Sequence, residues 1–384
     1  MKLFKNILNS VKPHFEKGGK LEKLYPAYDA FETFLFVPDH TAHTGAHMRD
    51  AIDLKRTMFT VVLALIPALV FGMWNVGYQH FIALGVTSPD LIESLVYGAV
   101  KVLPMIAVSY GVGLGIEFAF AISRGHSVNE GYLVTGLLIP MIMPADIPLW
   151  MLAIAVVFAV VIGKEVFGGT GMTIMNPALT ARAFLFFAYP TMMSGDKVWV
   201  SLGGETAVDG FSGATPLANA IEGGVSAIPS IMESFIGMIP GSVAETSGVA
   251  ILIGAVILLI SGIGSWRIMT GMFLGAYAMG LIFNAFAVNP FMEVPAIQQI
   301  VMGGFLFGMV FMATDPVSAA QTNTGKWIYG ILTGLLAILI RVVNPAYPEG
   351  MMMAILFMNV MAPLVDHYVV AANIKRRMKR VKTA

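Results

Sequence analysis

The 384-residue sequence contains no cysteine. This absence excludes disulfides, thiolate metal sites and iron–sulfur clusters whose ligands come from this chain alone. Charged residues are also scarce, at 12% of the chain against about 25% in a typical globular protein. So few charges cannot cover the water-exposed surface of a chain this long. Because 57% of the residues are hydrophobic, the composition predicts an integral membrane protein.

The sequence also has no excess of positive or negative charge. The 23 Lys and Arg residues balance 23 Asp and Glu residues, which argues against nucleic acid as a partner. No G-x-x-x-x-G-K-S/T or G-x-G-x-x-G loop occurs, so the chain is not expected to bind ATP or NADH through such loops. The start, MKLFKNILNSVKPHF, lacks the uninterrupted apolar core of a signal peptide.

Basic residues are concentrated at both ends of the chain. Nine of the 23 Lys and Arg residues lie in 1–56, and six lie in 371–384. By the positive-inside rule, both termini are predicted to lie in the cytoplasm, which requires an even number of membrane spans.

A helix that crosses a bilayer needs roughly 20 apolar residues. Ten apolar stretches are candidates for such spans, and ten is an even number. Three of them, 131–143, 249–264 and 298–312, are short for full spans. In the resulting topology Arg341 falls on the outer side and is the exception to the charge rule. The ten stretches are 57–77, 98–122, 131–143, 147–163, 172–190, 249–264, 268–287, 298–312, 327–342 and 350–371.

Two short stretches share a Gly and Pro pattern. Residues 131–144, GYLVTGLLIPMIMP, and 303–316, GGFLFGMVFMATDP, both fit G-x4-G-x7-P at a constant offset of 172. A repeat of five spans must insert upside down relative to its copy, and broken helices near the midplane are typical of such transporter-like folds. The predicted fold is therefore an all-α integral membrane protein of about ten transmembrane helices in two inverted five-helix repeats with broken helices.

The same patterns divide the chain into five parts. A charged, Pro-punctuated cytoplasmic cap is predicted at 1–56, and the two transmembrane repeats at 57–190 and 249–371. Between them, 191–248 is an extracytoplasmic segment rich in Gly, Ser, Thr and acidic residues, and loops of this length are usually functional or disordered. Residues 372–384 form a basic cytoplasmic tail.

One motif in the outer segment offers a point for covalent chemistry. The stretch 209–216, DGFSGATP, contains Ser212, Gly213, Ala214 and Thr215. Small residues let a bulky group approach the backbone, and a threonine hydroxyl is a point for esterification. Composition alone favours an ordinary outer loop.

The tetrapeptide SGAT nevertheless resembles the flavinylation motif shared by two related families. These are the B subunit of the sodium-translocating NADH:quinone reductase and the D subunit of the Rnf complex. The resemblance to the reductase subunit covers nearly the whole chain, including the cap at 1–56 that the Rnf subunit generally lacks; the stretch 201–208, SLGGETAV, departs from it by its greater length. The strings that carry the resemblance are DLKRTM (53–58), GKEVFGGTG (163–171), NPALTARAFLFFAYP (176–190), FMATDPVSAAQTNTGKW (311–327) and NPAYPEGMM (344–352).

This resemblance implies a redox subunit in the inner membrane of a bacterium. A flavin transferase would join FMN through a phosphodiester to Thr215, and the chain would also hold a noncovalent riboflavin. The complex of six subunits, this one with the A, C, D, E and F subunits, would pass electrons from NADH to a quinone and move Na⁺ outward. The chain would not be active alone.

Asn176 and Arg182 lie in the apolar stretch MNPALTARAF. An intramembrane arginine rarely faces lipid, so Arg182 is expected to meet a carbonyl, a carboxylate or a cofactor oxygen. A helix-breaking structural pair is an equally good interpretation of these residues. The resemblance places both in a flavin pocket, with Asn176 near riboflavin.

Gly113 and Glu117 lie in GVGLGIEFAF, near the inner end of a span. The resemblance assigns them to the quinone site, and the alternative is a packed glycine seam with a carboxylate that reaches toward the interface. Glu165 is expected to pair with its neighbour Lys164 in a structural role.

Asp315, beside a broken helix, and Asp366, in the last span, are candidates for the Na⁺ pathway. Na⁺ is a hard cation that prefers carboxylate and backbone oxygens. Phe307 and Phe311 lie four residues apart and are either an apolar gate, as the resemblance implies, or plain core. A histidine group, His40, His43 and His47, is interpreted as solvated residues and not as a metal site.

Two other functions remain open from the sequence. The first is the D subunit of the Rnf complex. The second is of a different class: a passive channel or transporter for a small solute, which an inverted repeat alone would equally support.

Overall fold

A computed structural model describes residues 2–16, 18–36, 42, 44–48, 52–125, 128, 131–196, 198–344 and 350–383. Within these ranges the chain contains helices, turns and loops and no strand, which confirms the all-α prediction. The α-helices are α1 Lys2–Val11, α2 Tyr25–Leu35, α3 Leu54–Ala83, α4 Leu91–Arg124, α5 Tyr132–Met141, α6 Leu149–Val161, α7 Pro177–Ala188, α8 Pro190–Met193, α9 Pro216–Gly223, α10 Ile231–Ile236, α11 Gly248–Ile260, α12 Trp266–Ala285, α13 Ala296–Val301, α14 Phe305–Phe307, α15 Asn323–Val343 and α16 Gly350–Thr383.

Six helical segments in the described part of the chain are long and apolar enough to cross a membrane, so this is a multi-pass membrane protein. Three further apolar helices, α5, α7 and α11, have 10 to 13 residues and are shorter than a span needs. The six segments are α3, α4, Leu149–Phe167, α12, α15 and Gly350–Arg380.

Two of the predicted boundaries differ from the helices. The last helix, α16, continues without interruption from the apolar stretch into the basic residues predicted as a separate tail at 372–384. Likewise α3 begins at Leu54, inside the predicted cap, because the Asp53 side chain accepts a hydrogen bond from the Arg56 N–H and caps the helix.

The predicted broken helix at 303–316 is interrupted twice. The chain leaves α13 at Met302 in an extended conformation and turns at Gly303, whose φ of +68° is rarely adopted by residues with a side chain. It then forms α14 and a π-helical segment, Gly308–Met312. A π-helical turn inside an α-helix frequently marks a functional site.

Helices that hold the same position in the two predicted repeats contact each other. The first helices, α3 and α11, pack together, and so do the fifth helices, α7 and α16. Small residues allow close contacts within each repeat, since a Cβ at Gly98 of α4 would clash with the Met73 carbonyl of α3. These contacts bring helices of the two predicted repeats together.

The segment 191–248 is ordered by its own short helices, including α9 and α10. Ser230 caps α10, and its hydroxyl and backbone N–H each donate a hydrogen bond of 2.9 Å to Glu233. These hydrogen bonds, first from the hydroxyl and then from the backbone, hold the pKa of Glu233 below its usual range. The segment is therefore folded against the helices and not a plain connecting loop.

Candidate functional site

A cavity in the described part of the chain lies beside the motif threonine and is called here the Thr215 cavity. It has a volume of about 300 Å³ and lies between α7, the start of α9, the glycine turn at 303–304 and the adjoining ends of α15 and α16. Its lining includes Arg182, Thr215, Leu217, Glu245, Gly303, Gly304 and Arg341. Thr215 and Arg182, two of the predicted site residues, therefore share one cavity.

Thr215 is the N-cap of α9, and its local sequence explains why. Threonine is a favoured N-cap residue, and Pro216 suits the first helical position. The Thr215 Oγ1 accepts a hydrogen bond of 3.3 Å from the Ala218 N–H. The hydroxyl is thus held in a fixed position at the cavity lining.

The other motif residues shape the turn before Thr215. Gly213 and Ala214 are buried, and a Cβ at Gly213 would clash with the carbonyl oxygen of Asp196. Ser212 is exposed, and its Oγ accepts a hydrogen bond from the Ala214 N–H. Packing against the neighbouring stretch of chain at 196 therefore requires the glycine at 213.

Arg182 meets both kinds of partner that its position in an apolar stretch predicts. Only 4% of the residue is exposed, and its Nη1 donates to the carbonyl oxygen of Ile142 and to Glu245 Oε2, the latter at 3.1 Å. The Ser242 hydroxyl donates to the same Glu245 oxygen. A buried cation, its carboxylate and a hydroxyl therefore form one wall of the Thr215 cavity.

Arg341 lies on the same cavity and was not predicted as a site residue. It is 1% exposed, and its Nη1 donates to the carbonyl oxygen of Gln299 in α13. In the sequence it stands out only as the exception to the charge rule. That exception was the signal, because a basic residue on the outer side of an apolar span needs a buried partner or a ligand.

The second cavity, called here the Asp315 cavity, has a volume of about 100 Å³. Asp315 Oδ1 accepts from the Val317 N–H at 3.2 Å, and Oδ2 accepts from the Ser318 hydroxyl at 2.7 Å. Asn176 lines this cavity and not the Thr215 cavity, among the lining residues described for the two. The structure therefore separates Asn176 from Arg182, which the sequence interpretation placed in one pocket.

Asn176 itself has a structural role at the start of α7. Its Oδ1 accepts from the backbone N–H groups of Ala178 and Leu179, and its Nδ2 donates to the Met312 carbonyl at 3.5 Å. The π-helical segment that contains Met312 forms part of the wall between the cavities, since Met312 lines the Thr215 cavity and Phe311 lines the Asp315 cavity.

Phe307 and Phe311, the predicted gate pair, lie close together, and of the two Phe311 is among the residues that line the Asp315 cavity. Their ring centroids are 5.0 Å apart, and both side chains are buried. The geometry suits either an apolar barrier between the two cavities or ordinary packing, as the sequence indicated.

Glu117 forms a buried ion pair with Lys164, and each side chain is 5% exposed. The expected pair of Lys164 and Glu165 is wrong: Glu165 accepts instead from Arg124 at 2.9 Å. Glu117 consequently does not reach toward the interface. Gly113, one turn away, lies against Tyr132, where a Cβ would clash with the phenol ring.

Asp366 lies apart from Asp315. Its carboxylate accepts from the N–H groups of Gln321 and Thr322, at 2.6 and 3.0 Å, and from the Thr322 hydroxyl at 2.5 Å. It therefore fixes the turn before α15, and it is not among the described residues that line either cavity.

No group of three or more His, Cys, Asp or Glu side chains that could hold a metal ion occurs among the residues whose structure is described. His47 Nδ1 accepts from the Ala42 N–H at 3.2 Å, while His40 and His43 lie outside the described ranges. The interpretation of these histidines as solvated stays a prediction.

Comparisons with known proteins all indicate the same family. The model of the NQR2, RnfD, RnfE family matches residues 41–375. The chain is 51% identical to the B subunit of a Na(+)-translocating NADH-quinone reductase from Stutzerimonas stutzeri, over 97% of this chain and 98% of the relative. It is 50% identical to the proteins of the same description from Chromohalobacter salexigens and Pseudomonas aeruginosa, covering 98% of this chain in each case and 96% and 99% of those relatives.

Proposed function

The chain belongs to the NQR2, RnfD, RnfE family, and from this premise we propose that it is the B subunit of a Na⁺-translocating NADH-quinone reductase. In that role it is one membrane subunit of an oxidoreductase complex. The family model alone includes Rnf subunits, so it does not separate the two complexes. Three relatives described as this reductase subunit are 50–51% identical to the chain over nearly its full length. This similarity favours the reductase over Rnf and over a passive channel.

The observation that carries the redox role is the position of Thr215. Its hydroxyl caps α9 at the lining of a cavity of about 300 Å³, which is the lower end of the range for small-molecule sites. Two buried arginines and a glycine turn lie on the same cavity, together with Asp196 and with Glu245, which pairs with Arg182. The guanidinium donors and the open turn suit an anionic, flat ligand. The residues present therefore fit a tethered FMN.

In this proposal Thr215 Oγ1 is the point to which a flavin transferase joins FMN through a phosphodiester. The flavin, once bound, supplies the electron chemistry, while the protein supplies position and electrostatics. Gly213 allows the turn to lie close to the Asp196 carbonyl, and Thr215, whose hydroxyl caps α9, is part of the cavity lining. Arg182, fixed by Glu245, forms a rigid wall on which the cofactor can be oriented.

Riboflavin, the second cofactor of the proposal, fits the Asp315 cavity poorly. The volume beside Asn176 is about 100 Å³, below the roughly 300–1,000 Å³ of small-molecule sites. Both ends of the Asn176 amide also make hydrogen bonds within the chain. We therefore propose that a neighbouring subunit completes the riboflavin site and that Asn176 lies at one edge of it. In this proposal Asn176 does not contact the riboflavin directly.

For Na⁺ we propose the Asp315 cavity as part of the pathway. The Asp315 carboxylate, which accepts from the Ser318 hydroxyl, supplies oxygen ligands beside a broken helix, and Phe311, packed on Phe307, lines the same cavity. Asp366 would act indirectly, because it fixes the turn that follows this region.

For the quinone we propose the face of α4 that carries Gly113 and Glu117. The buried ion pair of Glu117 and Lys164 offers a carboxylate next to an ammonium group. Tyr132, packed on Gly113, would fix the width of the space that a quinone ring could enter.

We further propose the assembly and location that the family implies. The chain would join five others, the A, C, D, E and F subunits, in the inner membrane of a bacterium. Both termini would lie in the cytoplasm, and the segment 191–248 with Thr215 would face the opposite side.

The experiment that tests this function is the fluorescence of the denatured polypeptide on a gel. The wild-type chain from cells that contain the flavin transferase should give a fluorescent band, and Thr215→Ala should remove the fluorescence. Thr206→Ala, which changes an exposed threonine in the same segment, is the matched control and should stay fluorescent. A dark wild-type band would refute the redox role and leave the transporter as the better function.

A further inference from the structure

A buried basic residue lies three residues after the fourth helix of the first repeat and within the last turn of the fourth helix of the second repeat. In the first repeat Trp150 precedes Lys164 by fourteen residues, and in the second Trp327 precedes Arg341 by the same spacing. These helices are α6 and α15, and Lys164 and Arg341 are 4% and 1% exposed. The offset between these pairs is 177 residues, five more than the 172 of the broken-helix pattern, so the two basic residues correspond if the second repeat holds five extra residues between Pro316 and Trp327.

The repeat also relates the two cavities. Lys164 and Gly131 line the Asp315 cavity, whereas Arg341 and Gly303, their counterparts in the second repeat, line the Thr215 cavity. A basic residue therefore lines a cavity in both halves, which a packing contact in one half alone would not explain. Lys164 is paired with Glu117, whereas the lining of the Thr215 cavity contains two buried arginines, Arg341 and Arg182, together with two acidic residues, Glu245 and Asp196.

The glycine turn brings the Arg341 guanidinium close to the helix that Thr215 caps. A Cβ built on Gly303 would lie 3.5 Å from Arg341 Nη2 and 2.6 Å from Leu217 Cδ1. Leu217 lies two residues after Thr215, in the first turn of α9. Arg341 and the start of α9 therefore approach the same point of the cavity wall.

We propose that Arg341, together with Arg182, binds the negatively charged part of the flavin attached to Thr215. This assignment rests on the function proposed above. A guanidinium is planar and offers paired donors that match an anionic oxygen pair, and it stays charged even when it is buried. The anion is either the phosphodiester or the reduced ring, and the chemistry of recognition is the same for both.

The test uses the assembled complex with Arg341→Gln, Arg341→Lys and a control, Lys326→Gln. Lys326 is a basic residue of the same helix at its opposite end, and it is not among the described residues that line either cavity. Two quantities are measured: the fluorescence of the attached flavin per polypeptide, and the midpoint potential of that flavin from a potentiometric titration of the visible spectrum.

If the phosphodiester is the partner, Arg341→Gln should lower the attached fraction at least fivefold and leave the potential of the remainder unchanged. If the reduced ring is the partner, attachment should be normal and the preference for the reduced form should fall about tenfold. That change corresponds to a midpoint potential about 59 mV lower for a one-electron step. Arg341→Lys should show a smaller change in the same direction, and Lys326→Gln should match the wild type.

An Arg341→Gln complex with unchanged attachment and unchanged potential would overturn the assignment. Should this variant not assemble, an Arg341→Lys complex identical to the wild type in both quantities would overturn it too, because an ammonium does not reproduce the paired donors. A wild-type chain without attached flavin would instead refute the proposed function, so the two failures are distinct.

Discussion

At the scale of single residues, the buried charges decide how the site is held. Arg182 could be predicted from its place in an apolar stretch, and its carbonyl and carboxylate partners are of the expected kinds. The identity of Glu245 could not, because it lies 63 residues away and only the fold brings it close. For Lys164 and Glu165 the expected pairing was wrong although they are neighbours in sequence, because Lys164 pairs with Glu117 and Glu165 pairs with Arg124.

The ion pair of Arg182 and Glu245 gives a direct prediction. Arg182→Gln should lower the free energy of unfolding by about 3–5 kcal/mol, because it leaves the Glu245 charge buried without its cation. The double variant Arg182→Gln, Glu245→Gln should recover much of this loss. Thermal unfolding of the detergent-purified chain measures both, and equal stability of the single and double variants would contradict the coupling.

Gly303 gives a second residue-scale prediction with an internal control. Gly303→Ala places a Cβ against Leu217 at a φ of +68°, so it should cost strain and also disturb the Thr215 cavity. Gly262→Ala has a φ of +72° but no atom within 4 Å of the new Cβ. The strain is of order 1–2 kcal/mol in both. Attached flavin should fall only in Gly303→Ala, and an equal loss in both variants would exclude the contact as the cause.

At the scale of elements, the sequence predicted where helices lie better than how they end. All ten apolar stretches contain helix in the described part of the chain. Of the two stretches with the Gly and Pro pattern, 303–316 contains the short α14 and the π-helical segment, whereas in 131–144 α5 is continuous from Tyr132 to Met141. The extended break at Met302 and the π-helical turn were beyond prediction, because each depends on packing against other helices and not on local propensity.

The segment that carries Thr215 is fastened to the helices by a polar cluster. Ser201 lies at its centre: its carbonyl is 2.7 Å from His80 Nδ1, and its hydroxyl donates to Asp146 at 2.8 Å. Lys101 donates to the same carboxylate at 2.7 Å, and Tyr97 stacks on His80 with ring centroids 3.9 Å apart. Elements far apart in sequence, α3, α4 and the turn after α5, therefore position the segment.

This cluster predicts that Asp146→Asn loosens the segment, because a neutral amide holds Lys101 and the Ser201 hydroxyl less firmly than a carboxylate. Amide hydrogen exchange over residues 198–216 should become several-fold faster, while exchange in α12 and α15 stays unchanged. Asp209→Asn, which changes an exposed carboxylate of the same segment, is the control and should leave the exchange rates as they are.

At the scale of the whole molecule, two cavities lie at opposite ends of the same elements. Asn176, at the start of α7, lines the Asp315 cavity, while Arg182 and Phe186 further along it line the Thr215 cavity. The π-helical segment likewise faces both. The sequence predicted the inverted repeat but not this separation, because spacing along a helix does not show which neighbouring helices enclose each end.

In its complex, the molecule as a whole should couple the reduction of quinone by NADH to the transport of Na⁺. Vesicles that contain the assembled complex should reduce quinone with NADH and take up Na⁺ at the same time. Asp315→Asn should lower Na⁺ uptake several-fold and leave the Thr215-attached flavin in place, because the two residues lie on different cavities. Strict dependence on ferredoxin in place of NADH would show that the chain serves an Rnf complex.

The covalent bond at Thr215 is tested most directly by mass spectrometry of the peptide that contains residues 209–216, taken from the assembled complex. The expected mass is that of the peptide plus one FMN less one water, with fragmentation placing the addition on the threonine. A peptide found wholly at its unmodified mass would contradict the assignment.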